Sequence, residues 1–215
     1  MPTHDDTTIR HPAKFSDTIL DAIKPWIIGY DRILDPFAGT GKLRLIKSDA
    51  YLLEIEPEWA EISHATVGNA LDMPWSDLFF DCIVTSPAYG NRMADHHNAK
   101  DGSKRITYTH VLGRKLHPDN SGQLQWGPAY RDFHTRAWME CDRVLRRGGR
   151  FILNVSDHIR DGKIVPVSDW HKLWFMIHGY RVVHEQTIQT PRLRRGANAH
   201  LRVEFENLFV MDKYA

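Results

Sequence analysis

The sequence predicts an α/β fold built on a mostly parallel β-sheet. Three short apolar segments, 32–34, 79–84 and 151–156, favour strands, and each leads into polar residues or a turn. Segment 42–46 can open a helix, and segment 130–145 carries apolar residues at helical spacing. Strands that alternate with helices indicate parallel pairing, and such sheets bind ligands beyond the carboxyl ends of their strands. The residues that follow each strand are therefore the candidate functional residues.

The first predicted element is an amphipathic helix that begins after Ser16. Ile19, Leu20 and Ile23 recur at helical spacing. Ser16 is a residue type that caps the start of a helix. This helix precedes the first predicted strand.

That strand leads into a glycine turn, since segment 35–41 reads Asp-Pro-Phe-Ala-Gly-Thr-Gly. The two glycines permit positive φ and let a ligand approach the backbone, while the carboxylate at the strand end can meet a cationic group. A phosphate-cradling loop is excluded, because Pro36 and Leu43 occupy the positions that require Gly and Ser or Thr. A dinucleotide fingerprint is excluded because Arg44 replaces its third small residue. The turn indicates a nucleotide-like cofactor, with a plain strand-to-helix turn as the alternative.

A second motif, Thr-Ser-Pro-Ala-Tyr at 85–89, follows the predicted strand 79–84. Ser86 and Tyr89 are therefore expected beside the glycine turn. The exocyclic amine of a base is a poor nucleophile, because its lone pair is delocalised into the ring. Hydrogen bonds to the Ser86 hydroxyl oxygen and the Pro87 carbonyl oxygen would favour a pyramidal, nucleophilic nitrogen. The Tyr89 ring would stack on a base turned out of the duplex. Together the two motifs describe a methyltransferase that acts on a base amine.

The two motifs resemble the S-adenosylmethionine motif and the catalytic tetrapeptide of amino-DNA methyltransferases, and the resemblance covers about residues 11–90 by motif. It implies a Rossmann-like class I methyltransferase fold: a mostly parallel seven-stranded sheet with helices on both faces. It also implies direct, in-line methyl transfer without a covalent enzyme intermediate. Ala88 departs from the family pattern, which usually has a second proline there. Ser86 favours cytosine N4 as the target over adenine N6, because serine is commoner in the cytosine enzymes.

Segment 51–57 is similar to the second strand of that family and its acidic end. There the Glu54 carboxylate would accept hydrogen bonds from the two ribose hydroxyls, and Glu56 is the second choice. The alternative interpretation is that these acids are solvated and stand at the start of a helix near Pro57.

Two more segments extend the resemblance. In 68–72, where an acid usually meets the adenine amine, either the Asn69 amide oxygen or Asp72 would take that role. Segment 11–16 resembles a motif that closes over the methionine part of the cofactor. The cofactor-binding residues that the resemblance implies are His11, Lys14, Asp35, Pro36, Phe37, Gly39, Gly41, Glu54, Asn69 and Ala70.

An insertion at about 90–130 follows the tetrapeptide and is the candidate target-recognition loop. It is rich in basic, polar and aromatic residues and shows little periodicity, and connections of this length are usually functional or disordered. A solvated surface loop is the alternative. Its histidines lack regular ligand spacing and have no cysteine nearby, so no metal site is predicted. The candidates for DNA contact are Asn91, Arg92, His96, His97, Lys104, Arg105, Arg114 and Lys115.

The remaining chain completes the predicted sheet. A helix over 130–145 is expected to stop at the basic, glycine-containing segment 146–149. A further helix over 168–178 leads to strands at 180–184 and 201–211, which resemble the closing hairpin of the fold. A basic turn that could grip phosphates lies between these strands. Further candidate DNA contacts, each also interpretable as a structural or surface residue, are His158, Arg194 and Arg195.

Composition sets outer limits on the function. A chain of 215 residues with 42% hydrophobic content is expected to form one methyltransferase domain, 1–215. The net charge of +1 provides no global basic field. No segment approaches the roughly 20 apolar residues of a membrane span, and the first ten residues lack a signal-peptide core. Cytoplasmic localisation without membrane contact is therefore expected.

The expected partner is a DNA substrate, and no obligate protein partner is inferred. Cys82 and Cys141 sit in apolar-flanked segments, and neither follows a proline in a catalytic loop. Carbon-5 methylation of cytosine, which needs a cysteine nucleophile, is thereby excluded. The alternatives are methylation of adenine N6, methylation of RNA or of a protein amide, and a cofactor-binding relic that only binds nucleic acid.

Overall fold

The computed structural model describes residues 15–91, 107–190 and 203–214. The strands in these ranges are β1 (Ile33–Asp35), β2 (Tyr51–Glu54), β3 (Thr66–Val67), β4 (Phe80–Thr85), β5 (Leu145–Val155), β6 (His158–Arg160), β7 (Lys163–Val165), β8 (Tyr180–Gln189) and β9 (Phe205–Lys213). The α-helices are α1 (Asp17–Ile23), α2 (Pro57–Ser63), α3 (Tyr108–Leu112), α4 (Pro128–Val144) and α5 (Val167–Ile177).

Seven of these strands form one sheet in the order β3-β2-β1-β4-β5-β9-β8. The pairs from β3 to β5 are parallel, and β9 runs antiparallel to both β5 and β8. The short strands β6 and β7 form a separate hairpin. The predicted mostly parallel sheet with a closing hairpin is therefore confirmed, and the carboxyl ends of β1, β2 and β4 meet at one edge.

The sheet is covered on both faces, because neighbouring residues in a strand point to opposite sides. Leu34 and Ile83 lie in one buried cluster with apolar residues of α4 and α5. Ile33 and Val84 lie in a second buried cluster with apolar residues of α1. Helix α1 is capped as predicted, since the Ser16 hydroxyl accepts a hydrogen bond from the Ile19 N–H at 3.3 Å.

Two local predictions need correction. The segment after the glycine turn forms only a 3-10 turn, Lys42–Leu45, and not an α-helix. The helix predicted to end in a basic glycine stop at 146–149 ends at Val144, and Leu145 begins β5 with extended backbone angles. Leu145 is fully buried and pairs with Phe80 of β4, so pairing in the sheet ends the helix before the glycines are reached. Among the described residues, no helix is long and apolar enough to cross a membrane.

Candidate active site

A cavity of about 360 Å³ lies beyond the carboxyl ends of β1, β2 and β4. Both motifs identified in the sequence contribute to its wall, so the fold brings together segments that lie about fifty residues apart. The predicted site residues that line this cavity are Asp35, Pro36, Phe37, Gly39, Glu54, Asn69, Ala70, Ser86, Pro87, Tyr89 and Asn91.

Asp35 ties the glycine turn to the neighbouring strand. Its Oδ1 accepts a hydrogen bond from the Thr85 hydroxyl at 2.9 Å and another from the Phe37 N–H at 3.1 Å. The side chain is buried, and burial raises its pKa to about 7 despite these two hydrogen bonds. Asp35 therefore holds the glycine turn that follows β1 against the end of β4.

Glu54 meets the glycine turn from the end of β2. One carboxylate oxygen accepts a hydrogen bond from the Gly39 N–H at 2.7 Å, and the other accepts one from the Glu56 N–H at 2.9 Å. Burial raises the pKa of Glu54 to about 7. Gly39 makes this contact with the Glu54 carboxylate at a φ of +51°, a backbone conformation that β-branched residues avoid.

Gly41 has a different position from that of Gly39. It is not part of the cavity wall, and a Cβ added there would lie 2.8 Å from the Ser63 Cβ. With φ at +72° as well, this glycine allows the turn to pack against α2. Its prediction as a direct cofactor contact stays a prediction.

Glu56 is fully buried, so the interpretation of this acid as solvated is wrong. Its Oε1 accepts hydrogen bonds from the His117 N–H and the Asn120 side-chain amide, both at 2.8 Å. Its Oε2 lies 2.8 Å from the Arg114 guanidinium, which also forms an ion pair with Glu58. These contacts tie the inserted segment to the start of α2. Arg114 thus has a structural role here, and its contact with DNA stays a prediction.

The residue that faces the cavity near β3 is not Asp72, which lies outside the cavity wall. The Asn69 amide oxygen accepts the Leu71 N–H at 2.9 Å, and its amide nitrogen donates to the Asp119 carboxylate at 2.8 Å. Asp119 itself lines the cavity. The acid at this side of the cavity therefore comes from the insertion rather than from the segment after β3.

The insertion contributes a wall to the cavity rather than lying apart from it. Tyr108, Asn120 and Ser121 line the cavity together with Asp119. The Tyr108 ring packs edge-on against Trp59 of α2, with ring centroids 5.2 Å apart. Residues 107–123 therefore enclose the side of the cavity formed by β2 and α2.

At the other side of the cavity four polar side chains meet around the tetrapeptide. The hydroxyl oxygens of Ser86 and Tyr89 lie 2.8 Å apart, and the Tyr89 hydroxyl donates to the Glu206 carboxylate at 3.0 Å. The Asn154 amide nitrogen donates to the same carboxylate at 2.5 Å. Glu206 lies in β9 and lines the cavity, and Asn154 is near the end of β5. We call these four residues the acceptor cluster.

A buried hydrogen-bond chain fixes the backbone at Ala88. The Trp138 indole N–H donates to His171 Nδ1 at 3.0 Å, so the ring proton of neutral His171 resides on Nε2. His171 Nε2 then donates to the Tyr130 hydroxyl at 2.9 Å, and that hydroxyl donates to the Ala88 carbonyl at 2.8 Å. Burial lowers the pKa of His171 and raises that of Tyr130, which keeps both groups neutral. This chain of hydrogen bonds fixes the tetrapeptide at Ala88, its third residue.

The remaining predicted DNA contacts lie elsewhere. Lys115 is exposed on the insertion, and His158 is half-buried in β6 and is not part of the cavity wall. The others, together with the N-terminal cofactor motif, lie outside the described residues and stay predictions: His11, Lys14, Arg92, His96, His97, Lys104, Arg105, Arg194 and Arg195.

Cys82 and Cys141 are buried thiols, and burial raises the pKa of each well above its usual range. Neither lines the cavity, so neither is placed as a nucleophile there. Within residues 15–91, 107–190 and 203–214 no group of three or more histidine, cysteine or acidic side chains is arranged to hold a metal ion.

No protein-family model matches the chain, and no curated protein matches it in sequence. Solved structures match it in fold. The cyclase SpnF has 12% identity and a TM-score of 0.59, with 93% of this chain and 82% of that chain covered. An S-adenosylmethionine-dependent methyltransferase from Methanosarcina mazei has 12% identity and a TM-score of 0.57, with 90% and 97% covered. A putative RNA methyltransferase from Pyrococcus horikoshii has 14% identity and a TM-score of 0.52, with 92% and 83% covered.

These likenesses establish the Rossmann-like class I methyltransferase fold that the sequence predicts. They do not settle the reaction, because the same fold occurs in a cyclase. The chemistry therefore depends on the cavity and on the groups that line it.

Proposed function

We propose that this chain is a methyltransferase that uses S-adenosylmethionine to methylate an exocyclic amine of a DNA base, with cytosine N4 as the favoured target. The observation that carries the proposal is the meeting of the glycine turn and the Ser86–Tyr89 tetrapeptide in one cavity. The first of these fits a nucleoside-like cofactor, and the second fits an amine acceptor. When bound, S-adenosylmethionine supplies a methyl group on a positively charged sulfur.

The charges that line the cavity support a cationic cofactor over a phosphate-bearing one. The acidic residues in the described part of the wall are Asp35, Glu54, Asp119 and Glu206, and the basic residue is Lys42. Phosphates prefer basic residues and helix N-termini. In this proposal the Glu54 carboxylate accepts hydrogen bonds from the ribose hydroxyls, and the Asp119 carboxylate accepts a hydrogen bond from the adenine amine. Phe37 and Tyr108 provide aromatic surface.

The acceptor side supports an amine rather than a carbon nucleophile. A base amine carries two N–H groups, and hydrogen bonds from both of them favour its attack. The Ser86 hydroxyl and the Pro87 carbonyl are the proposed acceptors of these two hydrogen bonds. Methylation at cytosine carbon 5 needs a cysteine, and the thiols of Cys82 and Cys141 are buried away from the cavity. The amine nitrogen attacks the methyl carbon in line, and positioning supplies most of the rate.

Transfer of labelled methyl groups to DNA, RNA and protein substrates tests the proposal. We expect labelled DNA, and digestion to nucleosides followed by mass spectrometry should identify N4-methylcytosine. N6-methyladenine would support the alternative base, while label in RNA or protein alone would contradict the DNA target. Binding without any transfer would support the relic alternative.

Ser86→Ala is the sharpest variant for this proposal. Loss of one oriented acceptor should lower the single-turnover rate on the order of a hundredfold, because that hydrogen bond strengthens in the transition state. The affinity for S-adenosylmethionine should stay unchanged. Ser48→Ala is the matched control, since Ser48 is exposed and lies outside the cavity wall. A Ser86→Ala variant as fast as the parent on both cytosine and adenine would contradict the catalytic assignment.

A further inference from the structure

The acceptor cluster contains a carboxylate that the tetrapeptide motif does not include. Glu206 reaches the cavity from β9, more than a hundred residues after Ser86 in the chain. Its Oε2 receives both the Tyr89 hydroxyl at 3.0 Å and the Asn154 amide nitrogen at 2.5 Å. Two protein donors therefore converge on one carboxylate oxygen at the wall of the cavity.

The direction of the hydrogen bonds in this cluster follows from the chemistry of the groups. A carboxylate only accepts, so Tyr89 uses its single proton to donate to Glu206. The Ser86 hydroxyl, 2.8 Å from the Tyr89 oxygen, must then be the donor of that contact. The protons thus point from Ser86 to Tyr89 to Glu206. The Ser86 oxygen retains acceptor capacity for a proton of the substrate amine.

An amine that gains a methyl group must lose a proton. We propose that Glu206 is the final acceptor of that proton, which reaches it through the hydroxyls of Ser86 and Tyr89. This inference rests on the proposed methylation of an amine. The N–H bond of the methylated nitrogen breaks, and its electron pair stays on nitrogen. Ser86 takes this proton and passes its own to Tyr89, which passes its own to Glu206. Both hydroxyls are restored, and the net change is one protonated carboxyl group.

Asn154 supports this role of Glu206 by holding the carboxylate in place. Its amide side chain is 1% exposed, and its nitrogen also lies 3.4 Å from the Ser86 oxygen and 3.3 Å from the Tyr89 oxygen. Glu206 acts on the substrate through two other residues, so it is a positioning and proton-accepting residue.

The test compares Glu206→Gln, Tyr89→Phe and the double variant with the parent. Single-turnover methylation of a DNA duplex is measured at saturating cofactor, and calorimetry and fluorescence anisotropy measure the affinities for S-adenosylmethionine and DNA. We expect each single variant to be about a hundredfold slower, a typical effect of losing a proton acceptor. Both affinities should change less than about twofold, and the double variant should be no slower than the slower single variant, since the two residues act in series.

Glu185→Gln is the matched control, because Glu185 is an exposed carboxylate on the adjacent strand β8. Its rate should equal that of the parent. A Glu206→Gln variant at the parental rate would overturn the inference, as would single-variant effects that multiply in the double variant or a rate loss matched by an affinity loss. A parent that methylates no DNA amine would overturn the proposed function as well, so the two failures are distinguishable.

Discussion

Tyr130→Phe is predicted to release the tetrapeptide while leaving the fold in place. The variant keeps the aromatic ring and loses the hydroxyl that donates to the Ala88 carbonyl at 2.8 Å. The same hydroxyl accepts a hydrogen bond from the His171 Nε2–H group at 2.9 Å. In the variant, this buried N–H group of His171 would be left without its partner. An unsatisfied buried donor costs about 1–3 kcal/mol, and the free energy of unfolding should fall by that amount.

The effect on catalysis follows from geometry rather than from stability. Ala88 directly follows Ser86 and Pro87, so movement of its carbonyl also shifts the Ser86 hydroxyl and the Pro87 carbonyl, the two acceptor groups for the substrate amine. A displacement of about 1 Å at reacting groups can cost on the order of a hundredfold in rate. We therefore expect a single-turnover rate lowered by roughly that factor at saturating DNA and cofactor, with an unchanged affinity for S-adenosylmethionine.

Urea denaturation measures the first effect, and rapid-quench methylation measures the second. Tyr180→Phe is the matched control, because the Tyr180 hydroxyl also donates a hydrogen bond from the core, but to Asp142 at 2.8 Å rather than to the tetrapeptide. That variant should lose stability without losing rate. Equal rates for Tyr130→Phe and the parent would refute the reasoning, and so would a comparable rate loss in Tyr180→Phe.

Four further predictions concern the cofactor side of the cavity and the insertion that borders it. Gly39→Val should abolish S-adenosylmethionine binding in a folded chain, because a β-branched residue disfavours φ at +51° and would shift the backbone N–H that donates to the Glu54 carboxylate. Calorimetry checks this, and unchanged affinity would count against the cofactor site. Arg114→Ala should weaken cofactor binding about tenfold, because the buried Glu56 carboxylate loses its cation. Lys115→Ala should leave that affinity intact and, if Lys115 contacts one phosphate, lower the slope of log DNA affinity against log salt by about 0.9. Cofactor affinity should rise between pH 6 and 8, because Glu54, with a pKa near 7, must lose its proton to accept ribose hydroxyls. Glu54→Gln should reduce that rise, and an identical pH dependence in this variant would exclude Glu54 as the titrating group.

The fold and the two motifs could be predicted from the sequence because their signals are local. A strand followed by a glycine turn is visible in residues 35–41, and the order of the elements indicates the parallel sheet. The tetrapeptide follows its strand directly, so the rule that parallel strands end at one edge was enough to place Ser86 beside Asp35.

The residues that sequence reasoning missed reach the cavity from distant parts of the chain. The antiparallel pairing of β5 and β9 brings Asn154 and Glu206 together at the cavity. The sequence around neither residue indicates that pairing. Asp119 lies near the far end of the insertion, which shows no helix or strand periodicity, and it is held in place by a hydrogen bond from Asn69. His171 lies in the helix predicted over 168–178, and the sequence does not distinguish a buried histidine there from the other residues of that helix. The signal that these residues share is a polar side chain at an otherwise apolar or strand-end position.

The position of the insertion changes what can be expected of it. The sequence favoured contact between the insertion and the target DNA strand, since the insertion leaves directly from the tetrapeptide. The part described, 107–123, instead lies against β2 and α2 and is tied there through Glu56. A buried carboxylate that loses such partners is destabilising, so this segment is expected to remain docked during turnover. Contact with the target DNA would then depend on exposed side chains of this docked segment, such as Lys115, and on the part of the insertion nearer to Asn91.

The acceptor cluster also limits which reactions the fold can support here. A fold shared by a methyltransferase and a cyclase places no chemistry at the end of β4 by itself. Methylation at cytosine carbon 5 would require a cysteine nucleophile, and neither Cys82 nor Cys141 belongs to the described cavity wall. An amine acceptor, in contrast, arrives with a proton that must leave, and Ser86, Tyr89 and Glu206 form a hydrogen-bonded path of 2.8 and 3.0 Å along which it can. The presence of that path at the tetrapeptide supports the proposal that the methyl acceptor is the nitrogen of an amine.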